Sequence, residues 1–204
     1  MKKIVLCLLF LVCLFNYVVA QERLTSPTGI SIVHPDKWKL ASKDDFADSV
    51  KKLDFTEEQL ERLLKSNGSL LIWGFLKYDP KGHPGIIPTI QIRMLSNPTT
   101  SFESFTKAYK GLRERDKDLF QNLKIESPIK EDWIGAQRAL SLTFAYELYK
   151  GGLTFDVRTR AFAVPVGKHF FQITFIDDPT TEDCQKEFDE IVKSIRIENI
   201  KKRL

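Results

Sequence analysis

Residues 137–177 read QRALSLTFAYELYKGGLTFDVRTRAFAVPVGKHFFQITFID, and the side-chain period of this stretch decides the fold. From Arg138 to Tyr149, Leu140, Leu142, Phe144, Tyr146 and Leu148 fall on one side. Ala139, Ser141, Thr143, Ala145 and Glu147 fall on the other, the two-residue alternation of a strand. Gly151-Gly152 then supplies a turn in which positive φ costs little. A second alternation sets Leu153, Phe155, Val157, Thr159, Ala161 and Ala163 against Thr154, Asp156, Arg158, Arg160, Phe162 and Val164. After Gly167-Lys168, the segment His169–Ile176 is apolar on both sides and so requires cover on both faces. Connections this short impose antiparallel pairing, because a parallel crossover needs about a dozen residues or more. The expected class is α+β, a mostly antiparallel sheet of about six or seven strands with helices on both faces.

The flanking segments supply the remaining elements. Upstream, Thr28–His34 alternates and stops at Pro35, where Pro35-Asp36-Lys37 turns into Trp38. Ser42–Leu53 and Thr56–Ser66 carry helical apolar stripes, the second opened by the capping box Thr56-Glu57-Glu58-Gln59. Ser69–Tyr78 and Thr89–Leu95 read as strands joined by an irregular loop through Pro88. Thr100-Ser101-Phe102-Glu103 opens the longest helix, whose stripe of Phe102, Phe105, Tyr109, Leu112, Leu119, Phe120 and Leu123 runs towards a strand at Lys124–Ile134. Downstream of the meander, Thr180 or Thr181 is expected to cap a last helix with the stripe Cys184, Phe188, Ile191, Val192 and Ile195.

A length of 204 residues suits one domain with a real core, and 43% apolar content with 15 Phe is that of a globular chain. The first 20 residues stand apart: Lys2-Lys3, an unbroken apolar run Ile4–Phe15, and Val18-Val19-Ala20 before Gln21. This is the pattern of a secretory signal cleaved after Ala20, leaving a single domain over 21–204. The competing reading is an uncleaved anchor, since Ile4–Ala20 is 17 residues long, but Asn16 and Tyr17 interrupt it. Cys13 offers lipid attachment as a minor alternative, against which Val12 occupies a position that wants a small residue. The expected localisation is therefore periplasmic or extracellular, with no integral span after cleavage. Loss of Lys2 and Lys3 takes 31 basic residues to 29 against 27 acidic ones, a balance of +2, and the only basic run left is Lys201-Lys202-Arg203. That argues against nucleic-acid binding. Cys7 and Cys13 leave with the signal and Cys184 stays alone, so no internal disulfide forms.

Two motifs carry a family resemblance. Gly29-Ile30-Ser31-Ile32-Val33-His34-Pro35-Asp36-Lys37-Trp38 resembles the opening strand–Pro-turn–Trp of PsbP-like proteins. Ile191-Val192-Lys193-Ser194-Ile195-Arg196 resembles their closing helix and short final strand. The resemblance spans most of Thr28–Ile197 and implies an α/β/α sandwich around an antiparallel sheet. It also implies largely non-catalytic roles: extrinsic photosystem II subunits, a Ran-binding nuclear-transport protein and exported bacterial proteins of unknown role. The helical stretch Ser42–Ser66 departs from the pattern, being longer than the family leads one to expect there.

Candidate chemistry is sparse. His34, His83 and His169 lack metal-ligand spacing, and no phosphate-cradling glycine loop, Ser-His-Asp set or nucleophile elbow occurs, so no catalytic residue, metal site or cofactor is expected. Cys184 sits on an apolar helical stripe, the position of a buried thiol more than of a nucleophile. Arg158 and Arg160 project from one side of one strand, where they either clamp an anion or pair with acids on neighbouring strands such as Glu147. The Tyr78–Pro88 loop, with His83, Ile86 and Ile87 among prolines and glycines, is a candidate recognition element. Trp38, Trp73 and Trp133 are expected in the core or at its rim. The function that follows is an exported, non-catalytic binding or accessory module. Its partner is expected to be another exported or membrane-associated protein, met through Tyr78, His83, Ile86 and Ile87 or through Arg158 and Arg160. The alternative is a small exported enzyme, or an anion or metal carrier, using Arg158/Arg160, His83 or Cys184.

Overall fold

The computed structural model describes residues 22–41, 68–80, 83–116, 120–150 and 152–198. The secretory reading of residues 1–20, the helical readings of Ser42–Leu53 and Thr56–Ser66, and the basic run Lys201-Lys202-Arg203 lie outside these residues. In chain order the elements are β1 (Arg23–Thr25), β2 (Ile30–Val33), β3 (Lys39–Leu40), β4 (Ser69–Leu76), β5 (Thr89–Ser96), α1 (Phe102–Asp116), β6 (Gln121–Ile134), β7 (Gln137–Lys150), β8 (Leu153–Val166), β9 (His169–Asp177), α2 (Gln185–Ser194) and β10 (Arg196–Ile197). Seven strands form one sheet in the order β3-β4-β5-β9-β8-β7-β6, and β1-β2-β10 form a second. Every pairing is antiparallel. The meander β6–β9 is laid down in chain order, and β5 closes on the free edge of β9.

The two faces of the large sheet bury different sets of side chains. On one, Leu140, Leu142 and Phe144 of β7 pack with Ala161, Ala163 and Phe170 beneath Phe105 and Tyr109 of α1. On the other, Phe162, Val164, Phe171, Ile173 and Phe175 meet Phe188 and Ile191 of α2 together with Ile30 and Ile32 of the small sheet. The doubly apolar segment His169–Ile176 is thus β9, covered on both sides as its composition required. Burying one such side chain is worth about 1.5–3 kcal/mol. Ser101 caps α1, its Oγ accepting from the Ser104 amide at 3.1 Å.

Three expectations are corrected. The fold is sheet-dominated, with two helices among the described residues and less helix than an α/β/α sandwich implies. The α1 helix ends at Asp116, and Phe120 and Leu123 fall beside or within β6 instead of continuing it. Phe120 packs against Phe144 and Tyr146, ring centroids 5.5 and 4.6 Å apart, while β6 pairs with the long exposed edge that β7 offers and satisfies its backbone groups. The last helix starts at Gln185, because Thr180 and Thr181 bond to Asp178 and close a turn there.

The outer strand β6 is protected as edges usually are: Pro128 lies within it, its register shifts three times, and charged side chains stud it. Trp38 and Trp73 are buried, but Trp133, on this edge, is 61% exposed and belongs neither to core nor to rim. Phe171→Ala is expected to cost about 3–5 kcal/mol, the loss for a large buried ring, and Trp133→Ala no more than about 0.5 kcal/mol. Urea denaturation of the two variants checks the contrast.

Candidate functional site

Strand alternation puts Arg158 and Arg160 on the α2 face of β8, as expected, and both meet acids. Arg158 lies opposite Asp177 in the β8–β9 register. Its Nε donates to Asp177 Oδ1 at 3.0 Å and its Nη2 to Asp177 Oδ2 at 2.5 Å, a bidentate fork. The same Nη2 reaches Asp183 Oδ1 at 2.6 Å. The backbone amide of Cys184 donates to Asp177 Oδ2 at 2.9 Å, so this carboxylate also fixes the entry to α2. The Arg158 and Asp177 side chains are only 13% and 1% exposed. Burial opposes the charge on Arg158, but Asp177 and Asp183 overcome it and hold the guanidinium above its ordinary value. Arg160 donates through Nη1 to Asp189 of α2, and its guanidinium lies 4.9 Å from the Phe162 ring centroid. Glu147 is not the partner: it stands opposite Asp156 in the register, whereas Arg158 and Arg160 stand opposite Ala145 and Thr143. Its carboxylate accepts from Asn122 Nδ2 at 2.7 Å.

Cys184 is buried at the start of α2, 3.6 Å from Lys77 Nζ. Burial pushes the thiol up to about 11, although the Lys77 ammonium pulls the other way and Glu182, Glu187 and Asp177 add to the rise. Lys77 is itself engaged by Glu187 at 2.6 Å and Glu182 at 2.8 Å, which outweigh its burial and raise its pKa. This arrangement holds the sulfur as a thiol, the opposite of what a nucleophile needs.

The Tyr78–Pro88 loop lies at the end of the sheet where β9 finishes. Tyr78 and His83 stack with centroids 4.8 Å apart, the Tyr78 hydroxyl donates to Glu182 at 2.8 Å, and His83 Nε2 lies 3.1 Å from the Ile86 carbonyl oxygen. Ile86 and Ile87 are half-buried, not fully exposed. A methyl group on Gly85 would lie 4.0 Å from the Phe155 ring, so the loop borders the protruding β7–β8 hairpin. At that hairpin's tip Leu148, Tyr149 and Leu153 are 39%, 67% and 60% exposed, and Leu148 stands opposite Phe155. The structure thus sets the loop that carries four of the six sequence candidates, Tyr78, His83, Ile86 and Ile87, beside Phe155 of a hairpin whose exposed residues sequence reasoning passed over. Their signal was available: apolar residues flanking a Gly-Gly turn have no strand neighbour to bury them. The two arginines sit elsewhere, on the α2 face.

Beside α2 those arginines line a polar cleft of about 230 Å³, bounded by β6 and floored by β7 and β8. A larger cleft of about 330 Å³, mostly apolar, lies between α1 and β6 above Leu142 and Phe144. Among the described residues no three His, Cys, Asp or Glu side chains are placed to hold a metal ion. No described helix is long and apolar enough to cross a membrane.

The class these features define is a sheet-dominated antiparallel domain with a charged cleft on one face and an apolar end. No family model matches the chain, and no curated protein matches its sequence. Among solved structures the chain is similar to LpqN of Mycobacterium tuberculosis, described as involved in cell envelope biogenesis: 14% identity, TM-score 0.50, with 89% of this chain and 87% of that one covered. A Bacteroides thetaiotaomicron protein shares 14% identity at TM-score 0.45 over 87% of this chain, which spans about half (49%) of its length. A Pseudomonas aeruginosa protein of unknown function, PA94, shares 11% at TM-score 0.43, covering 59% and 78% of the respective chains. The likeness to LpqN is one of fold.

Two outcomes follow from the ion pairs and the thiol. Arg158→Met strands a buried carboxylate and is expected to cost about 3–5 kcal/mol, whereas Arg160→Met, breaking a more exposed pair, costs at most about 1 kcal/mol; chemical denaturation measures both. Cys184 is expected to stay unmodified by an aromatic disulfide reagent at neutral pH and to react within the dead time once urea unfolds the chain.

Proposed function

We propose that this chain is an exported, non-catalytic accessory module of the bacterial cell envelope that meets a protein partner at the apolar end of its large sheet. The observation that carries this reading is the apolar surface shared by the Tyr78–Pro88 loop and the β7–β8 hairpin. Tyr149 and Leu153 at the hairpin tip are more than half exposed, and the loop that holds half-buried Ile86 and Ile87 borders this hairpin at Phe155. Large apolar side chains gathered at one end of a rigid sheet suit a protein contact, in which aromatic and aliphatic anchors contribute most of the binding energy. The secretory pattern of residues 1–20 and the fold likeness to a protein involved in cell envelope biogenesis support the location. The PsbP-like resemblance belongs to the same reading: the order of the strand–Pro-turn–Trp opening, the meander and the closing helix is consistent with it. An enzyme using Cys184 is disfavoured by the thiol's burial and raised pKa.

The test is photocrosslinking in the source cells, with a benzophenone amino acid placed at Leu153 or Ile87 and, as the comparison, at Lys130 on the far edge strand. Adducts of defined mass are expected from the first two positions and not from the third. Intact mass of the recovered protein should begin at Gln21. Absence of adducts at Leu153 and Ile87 would sink the partner surface, and retention of residues 1–20 would sink cleavage after Ala20.

A further inference from the structure

The polar cleft beside α2 has a composition that neither the ion-pair network nor the apolar end explains. Its floor holds Ser141 and Thr143 of β7, its far wall Lys130 of β6, and its near wall Arg160 with Gln185 and Asp189 of α2. Ser141 is only 4% exposed, and its Oγ has no hydrogen-bonding partner among the described residues. A buried hydroxyl left in that state is uncommon and unfavourable, and it gains from any group that both donates and accepts.

Charge narrows the class of ligand. Lys130, Arg158 and Arg160 face Glu126, Asp132, Asp177 and Asp189 in the cleft lining, and both guanidinium groups are already held by carboxylates. The near-balance of signs gives a free anion no net attraction, and a free cation would have to displace arginines from their acids. An apolar ligand would strip water from these charges without replacing its hydrogen bonds. A ligand carrying adjacent neutral hydroxyls fits. Each hydroxyl can donate to a carboxylate oxygen and accept from a guanidinium, ammonium or amide N–H, and the hydroxyls of Ser141 and Thr143 can play either part. The donors and acceptors stand on strands and a helix, so they are ordered before the ligand arrives. Lys130 is the exposed cross-strand neighbour of Ser141, so its ammonium stands on the solvent side of the cleft as a further donor.

We infer that this cleft binds a neutral polyhydroxyl ligand, a sugar ring or the end of a neutral glycan, completed by the Ser141 hydroxyl. Phe175 and Phe188 lie beneath the polar groups and are buried, so they offer the ring no stacking face. Affinity for a single sugar is therefore on the order of millimolar, as expected of hydrogen bonds made in competition with water.

Amide-resolved NMR titration of the exported protein tests the site, with glucose, galactose, mannose and N-acetylglucosamine as probes and inorganic phosphate as the charged comparison. At least one sugar is expected to shift the Ser141, Thr143 and Arg160 amides saturably. Ser141→Ala, which removes an unsatisfied hydroxyl, is expected to fold at least as stably as the parent and to bind that sugar about tenfold more weakly, the loss of one hydrogen bond. The inference falls if no sugar moves these amides up to about 100 mM, a ceiling far above the affinities of specific sites. It falls equally if phosphate binds in preference, or if Ser141→Ala binds as tightly as the parent. These results are distinguishable from those for the apolar end, because the variant and the reporting amides belong to the cleft and not to the Tyr78–Pro88 loop or the hairpin tip.

Discussion

One carboxylate fixes how the two halves of this domain meet. Asp177 ends the last strand of the meander with its side chain almost wholly excluded from solvent, and it accepts the fork of Arg158 and the amide of Cys184 together. A charge so buried survives only when its lone pairs are filled, and here they are filled from two different elements. Strand β8 is thereby tied to the beginning of α2. The helix axis is then set by Phe188 and Ile191 settling onto Phe162, Ile173 and Phe175. Remove the guanidinium and the acid is stranded; remove the acid and the first turn of α2 loses an anchor.

That arrangement determines what the surrounding groups can do. The ion pairs consume the two arginines, which removes the fixed positive charge an anion clamp would need and leaves hydrogen-bonding capacity instead. The same helix start draws Cys184 into the core beside Lys77, where the ammonium is committed to Glu182 and Glu187 and burial dominates the thiol. On the opposite face α1 covers the meander with aromatic packing, Phe105 and Tyr109 against Phe170. The β7–β8 hairpin, which runs past the helices at the sheet end, leaves its tip uncovered. The polar cleft on one face and the exposed apolar side chains at one end are thus both consequences of where two helices stop.

Much of the architecture was legible from residues alone, and particular elements show why. The alternation from Arg138 to Asp177 predicted β7, β8 and β9 within one or two residues, because a strand whose two sides meet different environments must write that difference into its sequence. Helix limits were less legible. Phe120 and Leu123 keep nearly helical spacing with the stripe before them, yet a strand begins at Gln121 because β7 needs a partner along its whole length. Thr180 and Thr181 look like caps, but the buried Asp178 captures both hydroxyls and delays the helix to Gln185. A hydroxyl's choice between a helix amide and a nearby carboxylate is not visible without coordinates.

The sequence by itself determined the antiparallel meander, the placing of the Cys184 thiol on an apolar stripe and a pair of arginines aimed to one side of β8, since each follows from side-chain period and spacing. Only the tertiary structure decided which acids those arginines meet. Asp177, Asp183 and Asp189 lie 19, 25 and 29 residues from their partners and reach them through a strand register and a helix packing angle. It also decided that Ser141 is closed in without a partner and that Tyr149 and Leu153 stand uncovered. Periodicity reports which face a residue takes; what stands across from that face depends on the folding of distant elements, and short local patterns carry no record of it.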